Sequence, residues 1–468
     1  MSSGPMALDR SPEQVRPPRP VRPSSQLARG DGDALVAWWL AHTGALGLPV
    51  DPQRRRHLLA YVAAPAAVGY AVKLQANHAG SLPVGGLGAT MVACAAVFAV
   101  TYGSYRAAHD FARLPAGIRR HPRTALHLTY WMVVAALWAI PAQPVRAVLV
   151  PVVVVLPFFL WRCGYLLASG ARGHVAGTRF RDHLMYLVPV WGGSNVPFGK
   201  GAEFLARYQA ASPEALAHSQ LAGLRLIGLG LCWIATITIL RGGVYSGGDN
   251  VVTRLLGGWN LGLPRLGRMI DGRHAAGPVT AWLSVYGELL LDTLHIASRG
   301  HFFVGVLRLL GFRVPRNTNR PLLAQSVVEF WNRYYVYFKD LMVDCFFMPA
   351  FLRFRRWPQL RMFIAVFAGA FVGNVYYHVL KTEGALAAAD WWGVWTALEP
   401  RVFYALLLAT GIAVSMQREQ QRRGQVHRRG LPAPWLPRRS LRRRPVDRRA
   451  RWAVRSGASC APTAGARG

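Results

Sequence analysis

The chain has 468 residues, 52% of them hydrophobic and only 16% charged, and its 55 Lys and Arg outnumber 21 Asp and Glu for a formal net charge of +34. A soluble domain carries roughly a quarter charged residues, so this balance excludes an ordinary soluble globular protein. A helix crossing hydrocarbon needs ~20 mostly apolar residues, because its backbone has no water to bond with there, and several stretches reach that length.

Residues 1–33 are rich in Pro and Arg and read as a disordered basic cytoplasmic tail. They lack a short positive region followed at once by an apolar core, so a removable signal peptide is not expected. Residues 34–416 read as the membrane-embedded domain. Its clear spans are 58–74, 84–102, 125–142, 147–168, 221–240, 279–296, 363–380 and 394–416. Four more stretches mix apolar runs with polar residues: 35–50, 185–198, 301–312 and 330–352. The fold class expected is an all-α polytopic membrane protein with about 9 to 12 membrane segments, some of them re-entrant or lying along the surface.

Basic residues at span ends mark the cytoplasmic side. Arg54, Arg55 and Arg56, then Arg119, Arg120 and Arg123, then Arg353, Arg355, Arg356 and Arg361 therefore put their loops and both termini inside. Residues 417–468 hold fifteen Arg and no Lys, interrupted by Pro432, Pro434 and Pro437, and read as a disordered cytoplasmic tail held near anionic lipid. An arginine-rich stretch gains affinity for phosphate, but nothing here resembles a zinc finger or a helix-turn-helix, so nucleic acid is not an expected partner.

Ionisable side chains inside membrane segments are costly and point to a protein interior or a water-lined path. Glu288, Asp292 and His295 fall on one helix face at four- and three-residue spacing. They form either a structural polar network or the lining of a substrate path. Glu329-Phe-Trp-Asn-Arg-Tyr-Tyr335, continuing to Lys339, Asp340 and Asp344, alternates polar groups with aromatics. By periodicity it is an amphipathic interfacial helix as readily as a site. His378 lies inside an apolar run. A neutral imidazole can take a proton from a hydroxyl, as acyl transfer to an alcohol requires, or it can simply bond to a neighbouring helix. Residues 190–201, with Gly192, Gly193, Asn195, Pro197 and Gly201, read as a re-entrant segment or an external loop. Cys94, Cys163, Cys232, Cys345 and Cys460 form no CxxC pair and no zinc spacing, and no nucleotide-binding or serine-hydrolase signature occurs.

The stretch from Tyr286 to His378 resembles the membrane-bound O-acyltransferase family, in the bacterial branch that acetylates alginate and other exported polymers. The resemblance rests on Leu309-Leu-Gly-Phe-Arg-Val-Pro-Arg-Asn-Thr-Asn-Arg-Pro321, followed eight residues later by Glu329-Phe-Trp-Asn-Arg-Tyr-Tyr335. Tyr286-Gly287 through Asp292 resembles the family's upstream helix, and residues 190–198 resemble its re-entrant region more weakly. His378 corresponds to the family's membrane-embedded histidine. Tyr334 and Tyr335 stand where the family usually has tryptophan and histidine, and Asn332 replaces the first of its paired arginines.

The resemblance implies a helical bundle forming a tunnel, with an acyl-CoA or acyl-carrier-protein thioester arriving from the cytoplasm. It implies no metal and no permanently bound cofactor. The acyl group, acetyl or another short one, would pass to a hydroxyl of an exported polysaccharide, a lipid-linked sugar or a small molecule. His378 would be the base and Asn332 its partner. Tyr335 or Arg333 would serve the oxyanion or orient the donor, and Arg333 and Lys339 would hold donor phosphates. An exported acyltransferase partner and membrane lipids complete the expected associations, in a bacterial inner membrane. The competing classes are a proton-coupled transporter, with Glu288, Asp292 and His295 lining its path, and an inactive acyltransferase-like scaffold.

Overall fold

A computed structural model describes residues 29–78, 86–187, 200–245, 250–270 and 276–428. The glycine-rich stretch 190–199 and the tails before 29 and after 428 lie outside the described residues. The chain divides into two units, Met1–Ala413 and Val414–Gly468. In the second, the described residues are helical through Arg428. In the first, nearly every described element is a helix, and strand pairing is limited to two isolated bridges among the described residues, Gln209 with Phe312 and Tyr245 with Leu263.

Among the described residues, five helices are long and apolar enough to cross a membrane: Pro52–His78, Gly86–His109, Pro213–Gly243, Leu360–Val379 and Trp391–Arg418. A sixth candidate is the pair Gln143–Val155 and Pro157–Gly170, bent by 64°. Pro157 has no N–H to give and its ring opposes a continuous helix, which accounts for the bend.

The expected 9 to 12 segments are thereby corrected among the described residues, for physical reasons. Stretches 279–296 and 301–312 are one continuous helix, Pro278–Leu309, carrying Glu288, Asp292 and Arg299. Stretch 330–352 is broken at Tyr335 and passes into a π turn at Val343. Of stretch 185–198, only the first residues are described, as the end of the short helix Arg181–Leu187.

One core gathers the bent pair with Gly86–His109 and Pro122–Ala139 around Tyr130, Val134, Leu137, Phe159 and Leu160, closed by Leu386. A second core, around Leu59, Met185, Leu226, Val304 and Phe312, ties Pro52–His78 to the hairpin of Pro213–Gly243 and Pro278–Leu309. The hairpin begins at Ser212, whose hydroxyl accepts from the Ala215 N–H at 3.1 Å. Its helices meet at small residues. A β-carbon on Gly223 would sit 2.7 Å from the Gly305 carbonyl oxygen, and one on Gly230 would sit 3.0 Å from the Phe302 ring. Such positions let two backbones approach where lipid offers no hydrophobic drive of its own.

Gly311 adopts φ +85°, the left-handed turn that ends the hairpin. Any side chain there would strike Leu216 and Arg55. Arg55, expected among the orienting surface charges, is instead fully buried. It donates to the Ala210 carbonyl at 2.7 Å and the Pro49 carbonyl at 3.0 Å. Buried polar groups need such partners, and loop carbonyls supply them.

Candidate functional site

Two turns of π-helix, Val343–Phe347 and Ala368–Gly373, lie against each other. A π turn adds one residue to an α-helix and often marks a functional position. Glycine makes the contact possible. A β-carbon on Gly373 would lie 2.6 Å from the Phe346 ring, and one on Gly369 would lie 3.2 Å from Phe347 Cβ.

On the side of the first π turn, Asp344 organises a charged cluster. Arg123 Nη1 donates to its carbonyl and the Tyr165 hydroxyl donates to its carboxylate, each at 2.8 Å. Lys200 lies 3.3 Å from the same carboxylate and 3.0 Å from that of Asp340. These groups border a cavity of about 370 Å3 also lined by Arg172, Arg207 and Glu203. Burial acts upward on the Glu203 carboxyl, but Arg172 and His174 outweigh it and hold the group below the usual carboxylate range. Four cations against three carboxylates leave this cluster with a net positive charge, which favours an anion.

On the side of the second π turn, the helix Asn374–Val379 presents Tyr376, Tyr377 and His378. The Tyr376 hydroxyl accepts from Trp131 Nε1 at 3.0 Å and lies 2.8 Å from His127 Nδ1. His378 is half-buried, and neither of its ring nitrogens has a hydrogen-bond partner among the described residues. Its ring meets that of Tyr377 at 5.5 Å. Tyr377 meets Phe338 at 4.8 Å, and Phe338 stacks on Tyr335 at 5.4 Å. The charges acting on the imidazole are Arg401 and Lys381. An imidazole with an unengaged nitrogen, half-buried beside the Tyr377 ring, is equipped to take a proton from a hydroxyl.

Tyr335 enters this series because the helix Val327–Tyr334 stops there. Tyr335 has φ −144° and ψ 67°, and a loop stitches the break. The Val336 N–H donates to the Asn317 carbonyl at 3.0 Å, the Tyr337 N–H to the Asn317 side chain at 3.2 Å, and the Thr318 hydroxyl to the Tyr334 carbonyl at 3.0 Å. The Asn-Thr-Asn-Arg-Pro element thus holds a helix break open.

The other candidate residues are spread more widely. Asn332 is exposed, with no hydrogen bond to His378 among the described residues. Arg333 is engaged by Glu329 at 2.5 Å and Lys339 by Asp340 at 3.3 Å, so neither cation stands unneutralised. Glu288, Asp292 and His295 share a face without bonding to one another. Glu288 takes two bonds from Arg265, at 2.5 and 3.2 Å, and His295 Nε2 accepts from Arg241 at 2.8 Å. Asp292 is exposed and acts electrostatically, with Tyr404, on Tyr334.

No family model matches the chain. Over 127 residues it is 27% identical to the teichoic acid D-alanyltransferase of Bacillus subtilis (strain 168). The similarity is to an acyl-transferring enzyme. It covers 26% of this chain and 28% of the relative, little more than a quarter of that protein's length.

Sequence reasoning passed over Arg123, His127, Tyr165 and Lys200 as site residues. The signal was present for His127 and Tyr165, each a polar group inside an apolar stretch, as His378 is. Arg123 looked like an orienting charge because its partner, Asp344, is 221 positions away.

Proposed function

We propose that this chain is a membrane-bound O-acyltransferase that moves a short acyl group from a thioester, on coenzyme A or an acyl carrier protein, to a hydroxyl of an acceptor at the bacterial cell surface. The observation that carries the reading is His378: a half-buried imidazole with neither nitrogen hydrogen-bonded among the described residues, set just after a π turn and linked through the rings of Tyr377 and Phe338 to Tyr335. The similarity to a D-alanyltransferase acting on teichoic acid supports a small acyl group and favours a cell-surface polymer over a soluble acceptor.

In the proposed reaction the acceptor oxygen bonds to the thioester carbonyl carbon as its proton passes to His378. Collapse of the tetrahedral intermediate breaks the carbon–sulfur bond. The proton on His378 then goes to the departing thiolate, leaving an ester and a free thiol. Tyr335 is assigned the hydrogen bond to the oxyanion, a contribution of about 3 kcal/mol in a dry site. Asn332, exposed on the preceding turn, is assigned to orienting the thioester. For the donor's phosphates we favour the cavity of Arg123, Arg172, Lys200 and Arg207, where cations outnumber the carboxylates they pair with, over Arg333 and Lys339, which pair with Glu329 and Asp340.

The test uses membranes supplied with a radiolabelled acyl thioester and a polyol-phosphate polymer. Replacing His378→Gln is expected to lower transfer by about 10²- to 10⁴-fold, the usual weight of a general base, with thermal unfolding unchanged. Undiminished transfer by that variant removes His378 from the mechanism.

A further inference from the structure

Away from the π turns, a cavity of about 600 Å3 opens between the last turn of Pro213–Gly243, the loop that follows it, and the first half of Pro278–Leu309. Its walls are almost entirely apolar, with Leu240, Val244, Leu261, Leu263, Leu283 and Leu290 the principal side chains. The volume falls within the roughly 300–1,000 Å3 of small-molecule sites. It lies past the small-residue contacts that close the hairpin, at Gly223 with Gly305 and Gly230 with Phe302.

We propose that this cavity binds an acyl chain of a membrane glycerophospholipid, whose ester region lies beside Tyr245 and Arg265. Three observations choose that occupant. First, water is a poor filler, because a buried water needs two to four polar partners and the polar side chains of these walls are only Thr280 and Tyr245. Second, the loop and helix that line the cavity also carry exposed aromatic side chains near it in sequence. Trp259, Leu261, Trp282 and Tyr286 are each more than 60% exposed, and Trp282 stacks on Tyr286 at 5.9 Å. Trp and Tyr gather where hydrocarbon gives way to headgroups, so these side chains mark the depth at which a lipid's ester and headgroup sit.

Third, the wall contains a polar atom without a partner. Tyr245 is 3% exposed, and its hydroxyl, lodged against Gly287, has no hydrogen-bond partner among the described residues. A buried unpaired hydroxyl is costly, and a turn of the Tyr245 side chain from Gly287 toward the cavity would let it donate to a lipid ester carbonyl. Arg265 lies over the Tyr245 ring at 5.5 Å while paired to Glu288, which puts an ion pair rather than a bare cation beside the ester region.

The proposal is independent of acyl transfer and is tested without it. The full chain is reconstituted in vesicles of phosphatidylglycerol and phosphatidylethanolamine containing a trace of phospholipid with a diazirine on one acyl chain, then irradiated and mapped by peptide mass spectrometry. Adducts are expected to concentrate in residues 240–263 and 280–291. Leu290→Trp, which fills the cavity, is expected to lower them about tenfold there, while labelling of the exposed Met91 region stays constant. Leu263→Trp fills it from the loop side and serves if the first variant does not fold. Adducts spread evenly over exposed helix surface, or unchanged in a folded filled variant, overturn the proposal.

Discussion

In the hairpin of Pro213–Gly243 and Pro278–Leu309, glycines bring together two helices whose hydrogen-bond ladders run unbroken for 31 and 32 residues. At Val343–Phe347 and Ala368–Gly373, glycines bring together two turns whose ladders have slipped to the wider π pattern. The device is the same and the result differs. Along the hairpin, the polar side chains nearest the contact bond to backbone: Ser219 to the Arg308 carbonyl at 2.7 Å and Ser298 to the Gly230 carbonyl at 3.4 Å. Beside the π turns, charged and phenolic groups converge on Asp344, and neither His378 nitrogen is hydrogen-bonded among the described residues. A shared small residue joins two regular helices in one region and two π turns beside the proposed site in the other, and the regularity of the helix around it distinguishes the two.

That comparison can be broken by substitution. The largest effect on folding is expected at Gly305→Leu, where the added carbons meet Ile227 at 2.7 Å and the Gly223 carbonyl at 3.0 Å. Overpacking two backbones should cost about 3 kcal/mol, read as a lower unfolding temperature and loss of the folded fraction in detergent. Gly373→Ala meets the movable ring of Phe346 instead, so its effect on stability should stay within about 1 kcal/mol. Its transfer rate should nevertheless fall by up to about 100-fold, because the ring series that reaches His378 is displaced. Equal losses of stability in the two variants would end the distinction drawn here.

The smallest effect expected is a pH dependence arising outside both regions. His183, in Arg181–Leu187, is 2% exposed and 2.6 Å from the Thr178 hydroxyl. Burial, reinforced by Arg56 and opposed by Asp182, pushes its pKa down from 6.5 to about 4. The folded pKa is below the unfolded one, so an unfolded chain binds the proton first. Stability from this group is complete above about 6.5 and is lost as pH falls toward about 4. Unfolding temperatures measured across that window should decline by a few degrees in the parent chain and less in His183→Gln. An identical decline in both shows that other groups set the acid limb.

Much of the fold was legible because hydropathy is a local property. The long apolar helices around 58–74, 84–102, 221–240 and 394–416 follow from composition and length, and each corresponds to a helix that the chain forms. The helix count was overestimated where charge interrupts apolarity, as at Glu288 and Asp292, or where geometry does, as at Tyr335. The candidate site was legible in part, at the proposed base His378, an ionisable group in an apolar run, and at the Asn317–Arg320 element, which holds a helix break. It was not legible at Arg123, Lys200 or Tyr165, whose shared partner Asp344 is distant in the chain.

The amino-acid sequence by itself determined that this protein is built of membrane-length helices, because about 20 consecutive apolar residues leave the backbone no other way to satisfy its hydrogen bonds in hydrocarbon. It also singled out the imidazole of His378. Only the tertiary structure decided what that imidazole faces. One residue inserted by a π turn rotates everything after it by about 100° around the helix axis. Periodicity read across Ala368–Gly373 therefore cannot say which side His378 is on, and the packing of Gly369 and Gly373 against Phe347 and Phe346 settles it.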